Sequence, residues 1–364
     1  MIPPARHLVA AALSSALLLL PALTGIATAT AAPTSKVYAV PLAKTSADVK
    51  RVADYWKPDR LKQADRYSPA TPATKASAAS SSASSAGSSV ASVKRSTAAQ
   101  PVAPALPSQG QVGRTMGKVF FRFGDKEYWC SASSVAAKNR SVVATAGHCV
   151  YDSRQAKPAD YWIFVPNPDP TGETPDGIYV GASISMHEDW SGKGDYDYDY
   201  AFVTVHRGIK WTPKNGTYVM EDVGRLQDNV GGQGLELNKK PTTYTVAAFG
   251  YPAGEQPDHS HPFDGKKLRV CPEGATRWTS AVSADLQKGV QLQPCDFSPG
   301  ASGGPWLVGY DQTRMLGSLN GVNSLTWNRD AQGWYDAVSS PYFDTTTGEV
   351  YRRAATLTTL QNVT

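Results

Sequence analysis

Cysteine is scarce in this 364-residue chain: there are four, and no two form a C-x-x-C pair. That absence argues against a zinc pattern, so no metal ligand set is expected. Long apolar runs are also missing. The one near the start, Leu8 to Leu23, is broken by Ser14, Ser15 and Pro21, whereas a membrane span needs about 20 apolar residues. No extended 3.6-residue periodicity appears beyond residue 110, and no internal repeat. A net positive charge is missing from the same region: residues 111–364 hold 24 Lys/Arg against 27 Asp/Glu, net −3. The formal +5 of the whole chain comes from residues 33–110, with eleven Lys/Arg against four Asp, and from Arg6. A nucleic-acid footprint needs a basic cluster on the folded part, and none is visible.

What is present divides the chain into three. Arg6, the apolar run and the small-residue sites Ala27-Thr28-Ala29 and Ala29-Thr30-Ala31 form the three-part pattern of a secretory signal over residues 1–32. Export predicts an extracellular protein with no membrane association once the signal is removed. Residues 33–110 read as a removable pro-region. Within it, Val49, Val52, Ala53 and Trp56 recur at helical spacing before Pro58, which suits either a short amphipathic helix packed on the later domain or a disordered leader. Fifteen of the seventeen residues 76–92 are Ser or Ala, the composition of a flexible linker, and Lys94-Arg95 just beyond it would suit a processing protease.

Residues 111–364 change character. Short alternating or β-branched runs, such as Lys118–Phe123, Ser141–Ala144, Tyr161–Val165, Ile178–Ser185, Tyr200–Val205, Thr242–Phe249 and Met315–Leu319, are separated by Gly, Pro, Asn and Asp. Many short strands with irregular loops predict an all-β barrel or sandwich. In an oxidising compartment the four cysteines predict two disulfides, for which three pairings exist. The adjacent pairings, Cys130–Cys149 and Cys271–Cys295, close loops of similar, modest size, each worth on the order of 3 kcal/mol.

Three motifs carry chemistry. In Ser298-Pro-Gly-Ala-Ser-Gly-Gly-Pro305, glycines let the backbone turn sharply around Ser302 and aim N–H groups at an oxyanion, with Gly300 and Ser302 as the donors. In Ala144-Thr-Ala-Gly-His-Cys149, His148 follows a strand-like run. An imidazole with an ordinary pKa of about 6.5 can take and return a proton near neutral pH. His259 and His261 form an H-x-H in a polar loop, expected to be solvated rather than metal-bound. The run Asp195-Tyr-Asp-Tyr-Asp-Tyr200 offers three carboxylates to orient the imidazole. Asp199, bordering the apolar strand, is the choice, with Asp197 in reserve.

In the order His, Asp, Ser, with separations of 51 and 103 residues, these motifs resemble those of the chymotrypsin superfamily. TAGHC is similar to its histidine motif, Asp199-Tyr-Ala-Phe to its D-x-A-x strand, and GASGGP to its G-D-S-G-G-P loop. The resemblance spans roughly residues 115–340. It implies two orthogonally packed six-stranded antiparallel β-barrels with the active site in the cleft between them. It also implies a serine endopeptidase working through an acyl-enzyme on protein or peptide substrates, without a cofactor and as a monomer. More narrowly, Phe249-Gly-Tyr-Pro252 and Cys295-Asp-Phe297 resemble the bacterial glutamyl-endopeptidase-like branch, and Tyr55-Trp-Lys-Pro-Asp-Arg60 resembles secreted actinobacterial pro-segments.

Three departures qualify this. Ala301 replaces the aspartate that in pancreatic-type relatives pairs with a new N-terminus, so the oxyanion hole must be organised differently. Asp296, six residues before Ser302, stands where trypsin-like enzymes read Lys or Arg, although glutamyl-type relatives also carry Cys-Asp there. Asn323 falls where glutamyl enzymes carry histidine. Asp296 and Asn323 are therefore the specificity-pocket candidates, with the preferred side chain open. The competing readings are a catalytically inactive, protease-like binding protein and an α/β-hydrolase esterase. The latter requires the order Ser, Asp, His.

Overall fold

The computed structural model describes residues 36–63, 68–69, 113–330 and 333–363. The secretory signal, the Ser/Ala run and Lys94-Arg95 lie outside the described residues.

In chain order the elements begin with β1 (Val37–Pro41), α1 (Ser46–Tyr55), α2 (Pro58–Leu61), β2 (Ser68–Pro69), β3 (Met116–Phe123), β4 (Lys126–Val135) and β5 (Val142–Thr145). Then come β6 (Tyr151–Asp152), β7 (Lys157–Pro158), β8 (Asp160–Pro166), β9 (Tyr179–His187), α3 (Glu188–Lys193), β10 (Ala201–Val205), β11 (Gly208–Lys214), β12 (Thr217–Gly224) and α4 (Leu226–Val230). The last part holds β13 (Gly234–Leu235), β14 (Thr245–Gly250), β15 (Arg269–Ala281), β16 (Leu286–Leu292), β17 (Pro305–Asp311), β18 (Leu316–Val322), β19 (Leu325–Trp327), β20 (Ala337–Pro341) and α5 (Thr345–Thr356).

The chain is all-β in its framework. Strands β9-β10-β5-β4-β3-β8 follow one another, and β8 pairs back onto β9, closing a six-stranded antiparallel barrel. A second sheet runs β13-β18-β17-β14-β15-β16-β20-β19, in which the long β15 joins two halves. Every expected strand run overlaps one of these strands, although β5 and β10 are buried throughout rather than on alternate residues. The two disulfides are Cys130–Cys149 and Cys271–Cys295. Each therefore ties neighbouring parts of a single sheet.

Some barrel strands bury both faces. Val119 and Phe121 of β3, with Trp162 and Phe164 of β8, fill the barrel. Phe120, Ile163 and Val165 point the other way into a second cluster, with Val49, Val52, Ala53, Trp56 and Leu61. Of the two readings of the early helical pattern, the packed helix is the one found. Thr45 and Asp48 form a capping box at its start, and its apolar face lies on the barrel. Burying Val49, Val52 and Trp56 stabilises by roughly 1.5–3 kcal/mol each.

The expectation of no helical periodicity beyond residue 110 is corrected by α5. Asp344 caps it through Thr346 and Thr347, and Val350 and Ala354 are fully buried. Its period was masked by the Thr-rich first turn and by two exposed arginines, Arg352 and Arg353.

Candidate active site

β5 is a fully buried strand, and it delivers the chain into a single tight turn, Gly147–Cys149. Gly147 is required there, because a Cβ would lie 2.9 Å from the Trp190 ring. Cys149 is fixed to Cys130 on β4, so His148 is anchored on both sides. The Cys130 and Cys149 sulfurs come within metal-ligating reach of His148. Both are consumed in the disulfide, leaving no thiolate to hold a metal.

Asp199 sits one residue before Tyr200, just ahead of β10, and is 0% exposed. Its Oδ1 accepts the His148 backbone N–H at 2.8 Å. His148 Nδ1 lies 2.9 Å from Oδ2 and 3.1 Å from Oδ1. A carboxylate only accepts, so Nδ1 carries the proton and Nε2 is left as the basic nitrogen. Oδ2 also accepts from Ser324 Oγ at 2.6 Å. Three donors, the His148 backbone N–H, its Nδ1–H shared between the two oxygens, and the Ser324 hydroxyl, hold this buried carboxylate, as a buried charge demands. Ser324 was missed at the sequence level: one serine beside Asn323 has no motif, and only the fold brings it across 125 residues.

The other two aspartates do structural work. Asp197 Oδ1 accepts from Gln287 N–H at 2.9 Å and Lys288 N–H at 2.7 Å, stitching this loop to β16. Asp195 Oδ1 accepts the Asp197 N–H, and burial pushes its carboxyl up to about 6.

Ser302 is in the turn before β17. Its carbonyl accepts Ser131 N–H at 2.8 Å, Ser131 Oγ donates to Gly300 O at 2.8 Å, and Tyr251 N–H donates to Ser131 Oγ at 2.8 Å. Ser131 thus clips the serine loop to the barrel that carries His148. Gly303 (φ +79°) lies so close that a Cβ would be 2.1 Å from Thr145 Oγ1 and 2.9 Å from Ala146 N, two residues short of His148. Gly300 (φ +103°) backs onto Trp129 and the Tyr251 carbonyl. The structure therefore joins His148 to Asp199 directly and seats the Ser302 loop on the segment leading to His148. His148 Nε2 makes no hydrogen bond among the described residues.

Ala301 is buried, and its N–H points back to Ser298 O at 3.3 Å. A Cβ on Gly250 would come within 2.9 Å of the Ala301 Cβ, so the absence of a side chain at Gly250 lets the serine loop pack against the end of β14. The loop is held from the other side by Asn323. Its Nδ2 donates to Phe249 O and Ala301 O, each at 2.8 Å, and its Oδ1 accepts from Trp306 Nε1 at 2.8 Å. Both amide hydrogens being engaged, Asn323 braces the serine loop and has no donor to offer a substrate. As a specificity-pocket candidate, Asn323 could therefore act only through shape and not through a free amide hydrogen. Asp296 is buried beside Cys295, its carbonyl accepting from Gln256 Nε2 at 2.9 Å. His259 is exposed and pairs with Glu255. A cavity of about 660 Å³ opens beside His148, walled by Lys126, Tyr128, Tyr151, Arg154 and Trp190.

The family described as Trypsin matches residues 107–344 of the chain. No curated protein matches. Among solved structures, the thermostable serine protease AL20 from an extremophilic microorganism is 29% identical, over 68% of this chain and 99% of its own, with a TM-score of 0.54. The protease Anisep from Arthrobacter nicotinovorans gives the same 29% over 68% of this chain and 98% of its own, also at 0.54. With the family matched across well over half its length, the chain belongs to the trypsin family and is a serine-type peptidase.

Proposed function

We propose that this peptidase is a secreted endopeptidase whose triad is His148, Asp199 and Ser302. The observation that carries the reading is the buried Asp199, which fixes the His148 tautomer and leaves Nε2 basic, with the Ser302 loop packed on the same segment. His148 Nε2 takes the Ser302 proton as Oγ attacks the peptide carbonyl. Gly300 and Ser302 N–H groups receive the oxyanion, and His148 protonates the leaving amine. Water then resolves the acyl-enzyme by the same route. The cavity beside His148 gives the peptide chain room next to the imidazole.

Export is supported by the signal pattern at residues 1–32 and by two disulfides, which persist in oxidising compartments. No helix among the described residues is long and apolar enough to cross a membrane. A fluorophosphonate probe should label the protein covalently, and Ser302→Ala should abolish labelling while circular dichroism stays unchanged. Labelling that survives the substitution removes Ser302 from the role. Turnover of a peptide library, set against simple esters, separates endopeptidase from esterase. It also reads out whether the buried Asp296 selects a basic residue before the scissile bond.

A further inference from the structure

Residues 36–63 belong to the stretch expected to be discarded, yet the barrel is shaped around them. β1 pairs with β9 over five residues, Val37 opposite His187 to Pro41 opposite Ser183. The pairing continues as Leu42 N–H donates to Ala182 O and Ala43 N–H to Gly181 O. β8 covers β9 only at Tyr179 and Val180, so β1 satisfies the part of that edge which β8 leaves open.

Two glycines of the barrel domain make room for the segment. A Cβ on Gly181 would sit 2.6 Å from Leu42 Cδ1, and one on Gly172 would sit 2.7 Å from the Lys62 Cα. The helical face is anchored by Trp56, which is fully buried and donates through Nε1 to Tyr161 O. Tyr55 and Arg60 both bond Glu127 on β4. His206 links the segment to the C-terminal tail: Nε2 donates to Ala43 O at 3.0 Å, and Nδ1 accepts from Leu360 N–H at 3.2 Å.

None of residues 36–63 lines the cavity beside His148. The segment instead backs the elements that form the site. β9, which it extends, pairs on its other side with β10, the strand entered from Asp199. Glu127, which it holds, belongs to the hairpin whose residues 123–126 and 128 wall the cavity. Removing it would bare Phe120, Ile163, Val165 and Val180, an apolar patch of the kind monomeric proteins rarely expose.

We propose that residues 36–63 are a permanent part of the working peptidase: cutting the connection between residues 70 and 112 leaves them bound without a covalent link, supporting the site rather than plugging it. The test places a site-specific protease sequence within residues 76–92 of the full chain carrying Ser302→Ala, which prevents self-digestion. After cleavage, size exclusion and native mass spectrometry at micromolar concentration should show both fragments together, separable only in denaturant. Adding Trp56→Ala should speed loss of the small fragment on dilution at least tenfold, with Val52→Ala as the milder variant if Trp56→Ala fails to fold. A small fragment that elutes alone, beside a large fragment that stays folded and monodisperse, overturns the proposal. So does retention that neither variant weakens. The readout needs no catalysis, so its failure is distinct from failure of the triad reading.

Discussion

Asn323 bonds two carbonyls and one indole N–H from inside the protein. Asn323→Ala would leave Trp306 Nε1 without its acceptor and take a donor from Phe249 O and from Ala301 O, the latter keeping its bond from Gly304 N–H. A buried group left without its partner costs about 1–3 kcal/mol, so a loss of about that size is expected in urea melts. Asn323→His, meant to install a glutamate-reading histidine, should destabilise comparably and create no preference for glutamate in a peptide-library assay. The same residue shows the limit of motif reasoning. Position in a loop pattern pointed to a pocket, and it carried no sign of the three hydrogen bonds that brace the loop. Asp199 went the other way: its place at the border of an apolar strand already distinguished it from Asp195 and Asp197, since burial is legible in the neighbours' hydrophobicity.

At the scale of elements, His206 makes the junction of β1, the tail and β10 sensitive to acid. Its two bonds need a neutral ring, with Nε2 donating and Nδ1 accepting. Burial lowers its pKa from the ordinary 6.5, with the Ala43 carbonyl opposing. The groups around it are Lys44 and the backbone of Ala43, Ser183 and Leu357–Leu360, with Arg207 next in chain, and no carboxylate lines the cavity there. The unfolded chain therefore takes up the proton first. Stability that is full above about pH 6.5 is lost as pH falls from there toward the lower folded value. His206→Gln keeps a donor and an acceptor without titrating. It should flatten the fall in melting temperature between pH 7 and pH 5, and an unchanged slope would clear His206 of the effect. Nothing in the sequence marked this histidine, because its partners lie 163 and 154 residues away.

For the whole molecule, the critical contact is where the serine loop of the second sheet meets the barrel. Gly303→Ala would set a methyl into Thr145 Oγ1 and the Ser131 carbonyl, at a φ of +79° that L side chains rarely adopt. Either the loop or the barrel must move, and a displacement of about 1 Å at reacting atoms costs on the order of 100-fold. Peptidase activity and fluorophosphonate labelling should both fall by at least about that factor, in a protein that still shows a β-rich spectrum. Retained activity would mean that the two halves do not meet rigidly at Gly303.

Several properties were written in local sequence. Strand spacing gave an all-β class, glycine-rich turns around Ser302 gave the nucleophile candidate, and TAGHC gave the histidine. Each depends on neighbours within a few residues, and short-range patterning specifies such features. Only the tertiary structure decided that Ser324 joins Asp199, that Asn323 is a brace, and that residues 36–63 pack on the barrel and extend its β9 edge. Those facts rest on contacts between residues far apart in the chain. Three-dimensional packing creates such contacts, and one-dimensional order does not record them.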